Sequence, residues 1–346
     1  MTIAIIGAGL AGTACAYALK QAGIAAEIYE AGPSLAGGAS GNTMGLVNPR
    51  LSADRNPESD FYASSFAMAV RSFDAIQKHT DIGWHKGGGL HLMIEEKKQK
   101  RLPHTVANWG WPEAHMRIVS PAEASEIASL PIAHEALYLP DAGCVNPSAL
   151  CRFYAQGSKT HLNARIESLS DIKADAIILA CGAAAKNFPE TEFLPLSTVR
   201  GQITRVKATE KSLKLRCNIG YGGYCSPALN GEHMVGATFQ RWLDHTDLQP
   251  EDDRENITLL QQYVQALHGD FEILGSRAAL RTASKDHFPI AGRLAGHPPI
   301  YLSLAHGSHG IATSLGAAHL LADMILGRPL SQSRFSVNAL AADRFQ

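Results

Sequence analysis

Gly7, Gly9 and Gly12 form a GxGxxG pattern between an apolar run, Thr2 to Ile6, and a stretch with helical spacing, Leu10 to Gln21. In that order each glycine has a task. The first permits a tight turn, the second lets backbone approach a pyrophosphate, and the third lets the helix pack closely on the strand. The helix N-terminus then points its unsatisfied N–H groups at the phosphates. A second strand is expected over Ala26 to Tyr29, and Glu30 at its end puts a carboxylate where ribose hydroxyls can donate to it, while repelling a 2′-phosphate. The chemistry indicated is dinucleotide binding. A further glycine-rich turn, AHGSHGIATS at 305–314, follows an apolar run and opens another helical stretch. Its N–H groups and helix dipole suit negative charge developing on a cofactor ring.

The elements that must position these residues follow from apolar periodicity. After the first βαβ unit, the glycine-rich segment Gly37 to Gly45 interrupts regular structure, and a helix is predicted from Glu58 to His79 with Phe61, Phe66, Met68, Val70 and Phe73 as core positions. Ala174 to Ala180 reads as a strand buried on both faces of a parallel sheet, as does Ile300 to Leu304, followed by a helix over Ile311 to Leu326 and a polar tail. Between these, Gly87 to Ile94, Gln202 to Val206 and Tyr224 to Phe239 read as strands of a mostly antiparallel sheet, the last a hairpin turning at Asn230-Gly231. The fold class is α/β plus α+β, a Rossmann-like domain interleaved with a mostly antiparallel-sheet domain. The expected division is 1–80 with 140–200 and 275–346 for the nucleotide, and 81–139 with 201–274 for the substrate.

The 346 residues are 45% hydrophobic and 18% charged, with a formal net charge of -1. This composition excludes a disordered chain, and the charge excludes a strong overall field for nucleic acid. Any RNA contact needs a local basic group such as KKQKR at 97–101, or Lys207, Lys211, Lys214 and Arg216. Cys15, Cys144, Cys151, Cys181, Cys217 and Cys225 show no metal-ligand spacing and read as reduced thiols of a cytoplasmic protein, with no membrane span and no metal expected. The chain holds no second complete fingerprint for a nicotinamide cofactor, which favours FAD over NAD.

Across nearly its full length the sequence resembles the D-amino-acid-oxidase family of flavoproteins. The resemblance is carried by IIGAGLAGTACAYALKQAG with Glu30, GGASGN, ILACGA at 178–183, VRGQI at 199–203, YCSPALNGEHMVGAT, RTASKDHFPIAG at 281–292 and HGSHGIATSLGAAHLLA. Within the family, GASGNTMGLVNPRLSADRNPES and the terminal ALAADRF are most similar to the oxidoreductase module of bifunctional tRNA-modifying enzymes. The resemblance implies non-covalent FAD held by Gly7, Ala8, Gly9, Leu10, Ala11, Gly12, Glu30, Ala31, Gly38, Ala39, Ser40, Gly41, Gly45, Leu46, Val47, Ile166, Cys181, Gly182, Gly307, Ser308, His309, Gly310 and Ile311. It implies oxidation of a carboxymethylaminomethyl group on the wobble uridine of tRNA. The same site chemistry would serve a small glycine- or sarcosine-type amine. No methyltransferase module accompanies the domain, so a separate methyltransferase is an expected partner.

Amine oxidation of this kind needs an oriented C–H bond and a neutral amine rather than a strong base. Arg281 is the candidate carboxylate anchor, or else forms an ordinary ion pair. Tyr221 and Tyr224 hold the carboxylate or amine, or pack in the sheet. His306 and His309 stabilise reduced flavin if protonated, or donate a hydrogen bond while neutral. Lys285 offers a cation for oxygen reduction, or is an exposed lysine.

Overall fold

Ile3–Ile6 is buried at all four positions, as a strand covered by helices on both faces must be. The computed structural model describes residues 1–297 and 299–346. In chain order the first half comprises β1 (Ile3–Ile6), α1 (Leu10–Gln21), β2 (Ala26–Tyr29), β3 (Gly45–Val47), α2 (Pro57–Gln77), β4 (Gly89–Leu92), α3 (Glu96–Trp109), β5 (Arg117–Val119), α4 (Pro121–Ala128), β6 (Ala136–Leu139), β7 (Gly143–Val145), α5 (Pro147–Tyr154), β8 (Lys159–His161) and β9 (Ala176–Leu179). The second half comprises β10 (Leu196–Lys207), β11 (Asn218–Gly220), β12 (Tyr224–Cys225), β13 (Glu232–Gly236), α6 (Pro250–Tyr263), β14 (Ile273–Ser284), β15 (Ile290–Arg293), β16 (Ile300–Leu304), α7 (Gly310–Leu326) and α8 (Arg334–Leu340).

Two main sheets result. One has the order β15-β16-β9-β1-β2-β8 and is parallel except at its β15–β16 edge. The other has the order β14-β10-β13-β12-β11-β4-β6-β5 and is antiparallel except where β11 meets β4. Ile5, Leu19, Ile28 and Phe73 are completely buried around the first sheet; each contributes about 1.5–3 kcal/mol by leaving water. Helix α2 starts at a capping box in which Asn56 and Ser59 satisfy each other's backbone N–H groups, with Pro57 preset in the first turn.

The predicted hairpin forms, with Asn230 (φ 53°) and Gly231 (φ 80°) in the left-handed region between β12 and β13. Strand β10 begins well before the expected Gln202. Arg200, outside the expected strand, is wholly buried because Asp252 pairs with it and Gln202 accepts from it at 2.9 Å. The polar tail is not irregular throughout. Ser333 caps α8 by accepting from Ser336 N–H at 3.1 Å, and Leu340 is buried. Among the described residues no helix is long and apolar enough to cross a membrane, and no group of three His, Cys, Asp or Glu is placed to hold a metal ion.

Candidate active site

A cavity of about 1150 Å³ runs from the β1–α1 loop to the face of the antiparallel sheet. At its first end Gly7 adopts φ 107°, and a Cβ there would sit 2.6 Å from the Ala180 carbonyl oxygen. A Cβ at Gly12 would overlap the Gly7 carbonyl, so helix and loop touch only because Gly12 lacks a side chain, as loop and Ala180 touch only because Gly7 does. Gly9 begins α1 without a side-chain cap, and Gly9, Leu10 and Ala11 open onto the cavity. Ser40 reaches across to accept the Leu10 N–H at 2.9 Å. Glu30 accepts the N–H groups of Ala8 and Gly32, each at 2.8 Å, which fixes its carboxylate at the wall with lone pairs left for hydroxyl donors. This cradle fits the pyrophosphate and ribose of a dinucleotide.

Of the residues expected to hold cofactor, all line the cavity except Ala8, Gly12 and Gly41. Ala8 and Gly12 shape the loop from behind. Gly41 is needed because any Cβ would overlap the Arg277 guanidinium and lie 2.7 Å from the Ala36 carbonyl. Arg277 was not anticipated. It extends from β14 to donate to Asn42 Oδ1 and the Gly37 carbonyl, both at 3.1 Å, and to the Gly38 carbonyl at 2.5 Å. The glycine-rich loop is thereby tied to the antiparallel sheet.

At the other end, the start of α7 presents His306 and His309. Thr313 spends its hydroxyl proton on the His309 carbonyl (2.9 Å), so His306 Nδ1 donates to Thr313 Oγ1 (3.0 Å) and His306 Nε2 accepts from Ser303 (3.0 Å). Burial lowers the pKa of His306 to about 4. Burial, with help from nearby Arg50, does the same to His309, which packs edge-on to Tyr62 at 5.3 Å. Both imidazoles are neutral near pH 7.

Arg281 on β14 and Tyr224 on β12 line the same end. Among the described residues Arg281 has neither an ion-pair nor a hydrogen-bond partner, and its guanidinium lies over Gly201, where a Cβ would overlap it. Burial works against the charge on Arg281, with Tyr224 opposing that effect. Burial likewise pushes the Tyr224 phenol up to about 12, against the pull of Arg281, so it stays protonated.

Two expected site residues lie elsewhere. Tyr221 is 2% exposed, donates to the Tyr224 carbonyl at 3.0 Å and packs near Tyr263 in the core of the antiparallel sheet. Lys285 is exposed on the turn after β14, where the His287 N–H returns to the Ser284 carbonyl at 3.1 Å. In their place the cavity gains Arg50, His91, Lys98 and Arg101. Lys98 and Arg101 belong to the KKQKR run. The acids in the wall are Glu30 and Glu167, and Glu167 follows a segment in which the Ala164 N–H donates to the Glu30 carbonyl at 2.8 Å. Arg165, also in the wall, lies 4.0 Å from Glu167, so the nucleotide end carries both signs, while Arg50, Lys98, Arg101 and Arg281 make the rest of the wall cationic.

The DAO family model, described as FAD dependent oxidoreductase, matches residues 2–324. The tRNA 5-methylaminomethyl-2-thiouridine biosynthesis bifunctional protein MnmC of Nitrosospira multiformis is 30% identical over 373 residues, covering 99% of this chain and 60% of that protein. The protein of the same name from Pseudomonas fluorescens is 30% identical, with 99% and 58% covered. The chain thus spans about three fifths of the length of these relatives. Glycine oxidase from Geobacillus kaustophilus superposes with TM-score 0.85 at 20% identity, covering 98% of this chain and 97% of that one. Iminodiacetate oxidase from Chelativorans sp. BNC1 gives 0.78 at 22%, with 96% and 98% covered. With the glycine cradle, the ribose-facing carboxylate and this match across the chain, the protein belongs to the DAO family of FAD-dependent oxidoreductases.

Proposed function

We propose that the chain oxidises the carboxymethylamino group of an N-substituted glycine. We further propose that its substrate is 5-carboxymethylaminomethyl-(2-thio)uridine at the tRNA wobble position, converted to the 5-aminomethyl form. The observation that carries the chemistry is Arg281, a desolvated guanidinium with no anionic partner among the described residues, beside a protonated Tyr224. The names of the curated relatives support the tRNA substrate, and the cationic far wall suits a polyanion. In this reading 1–80 with 140–200 and 275–346, which carry the whole parallel sheet and also the start of β10 and most of β14 from the antiparallel one, hold the cofactor, and 81–139 with 201–274 cover the substrate.

FAD, when bound, supplies an acceptor for two electrons. The chain's own residues do the rest. Arg281 takes the carboxylate with its planar fork, and the Tyr224 hydroxyl donates a further hydrogen bond to it. Anchored there, the methylene between nitrogen and carboxylate is held in one orientation. Burial at this end of the cavity disfavours an ammonium, as it disfavours the charged forms of His306 and His309, so the secondary amine binds neutral. The group loses two electrons and two protons, from carbon and nitrogen, to give an imine. Water adds to the imine carbon, the C–N bond breaks, and glyoxylate leaves the aminomethyl product.

The test is anaerobic mixing of holoenzyme with tRNA carrying the modified nucleoside and, separately, with glycine and sarcosine, following flavin absorbance and analysing the nucleosides by mass. Bleaching by the tRNA with appearance of the aminomethyl nucleoside supports the reading. Rapid bleaching by free amines while the nucleoside persists overturns the tRNA assignment and leaves a small-molecule amine oxidase.

A further inference from the structure

The cavity rim carries side chains that the oxidation does not use. Phe239 lines the cavity yet is 51% exposed. Trp242, on the turn that follows, is 76% exposed, more than any other large apolar side chain among the described residues. Such exposure costs hydrophobic free energy unless something covers the ring. Between them in sequence, Arg241 lies 5.4 Å over the Phe239 ring and 3.4 Å from His287 Nε2. The His287 carbonyl accepts from Arg50 at 3.3 Å, and Arg50 lies 5.2 Å over Tyr62, which packs on His309. A chain of contacts therefore runs from Phe239 and Arg241 to the reacting end of the cavity, with the exposed Trp242 next in sequence. Lys98 and Arg101 of α3 also line this cavity. Among the described residues Arg50, Arg101 and Arg241 have no carboxylate within ion-pair distance, and Asp247 of the Trp242 loop faces His245 at 3.4 Å.

Unpaired guanidinium groups beside exposed planar rings make a surface for single-stranded nucleic acid, in which phosphates meet the cations and bases stack on the rings. An amino acid enclosed by the cavity would touch none of them. A nucleoside drawn out of its loop into the cavity would leave a neighbouring base without its stacking partner. We propose that Phe239, Arg241 and Trp242 form a stacking platform for the RNA nucleotides flanking the inserted one, with Arg50 and Arg101 taking the adjacent phosphates. The proposal rests on the tRNA reading above.

Holoenzyme variants Trp242→Ala, Trp242→Phe and Arg241→Gln are compared for binding of a labelled anticodon stem-loop RNA by fluorescence anisotropy at several salt concentrations. Trp242→Ala should weaken binding about tenfold or more, and Trp242→Phe should restore most of it. Arg241→Gln should weaken binding and lower the salt slope by about one. All three should keep wild-type Tm and flavin content. If wild type binds the stem-loop and Trp242→Ala and Arg241→Gln bind it equally well, the platform is overturned while the tRNA reading stands. If wild type neither binds the stem-loop nor is bleached by the modified tRNA, yet is bleached by sarcosine, the tRNA reading fails and the platform with it. A Trp242→Ala variant that loses flavin or Tm identifies the indole as structural and also overturns the proposal.

Discussion

Replacing Arg281 with methionine separates a binding group from a structural one. The side chain has no partner among the described residues, so its removal leaves none of their donors or acceptors orphaned and takes an uncompensated cation out of a desolvated site. Folding should be unharmed, with Tm equal to or above wild type. Substrate recognition should suffer. A charge-assisted hydrogen bond is worth roughly 1.5–3 kcal/mol, and the fork makes two to one carboxylate. Allowing for competition from water, a loss of about 3 kcal/mol lowers kcat/KM by about two orders of magnitude. Arg281→Lys keeps the charge but not the fork, and should fall between. The assay is stopped-flow flavin reduction over a range of substrate concentrations, with thermal melts of the same samples. A kcat/KM within about threefold of wild type would refute the carboxylate role. A Tm loss of several degrees would mean that Arg281 supports the fold through a pairing the structure does not contain.

Other consequences follow from neighbouring geometry. Gly201→Ala pushes its Cβ into the Arg281 guanidinium, a flexible tip, so the chain should fold and lose about tenfold in kcat/KM, whereas Gly12→Ala meets the rigid Gly7 carbonyl and should lose FAD, read from the flavin-to-protein absorbance ratio. The pKa values of His91, His306 and His309 are each lowered from 6.5 to about 4, so between those values the unfolded chain binds more protons. Their contribution to stability is complete above about pH 6.5 and is lost as pH falls toward 4. Apoprotein Tm should drop from pH 7 to pH 5, less steeply in His306→Gln, and a rise would contradict the assignment. Burial pushes the thiol of Cys181, the cysteine in the cavity wall, up to about 12, which opposes attack on a flavin. Acid precipitation should therefore leave the yellow colour in the supernatant, and a coloured pellet would show a covalent link.

The nucleotide end was legible because its determinants are local: three glycines, a helix start and one carboxylate within a single βαβ unit. The far end was legible only in part. Tyr221 and Tyr224 are indistinguishable in sequence, yet the chain turns at Gly222 (φ 113°) and sends one ring into the core and the other to the cavity. Lys98 and Arg101 stood in the sequence only as part of a basic run open to RNA; their place in the cavity wall depends on how α3 packs, through Leu102 and Trp109, against Met116 and against Leu137 and Leu139 of β6. Helix α6 had a readable signal, Pro250 followed by Glu251, Asp252 and Asp253 in the first turn. Its Asp252 could not be foreseen as the partner of Arg200, since neither residue shows its burial in sequence.

Strand β14 works as a ruler. Arg277, which grips the loop around Gly37 and Gly38, and Arg281, which faces the reacting end, lie on the same face of one strand four residues apart. Their Cα atoms are about 13 Å apart, a span set by backbone and beyond the reach of side-chain substitution. Relatives that share this strand must then hold the glycine loop and the carboxylate end at nearly the same separation, whatever else the substrate carries. Substrates of different bulk have to be accommodated outside that interval, by α3 and the loop bearing Trp242. Changes in specificity should accumulate in those two segments while the interior stays constant.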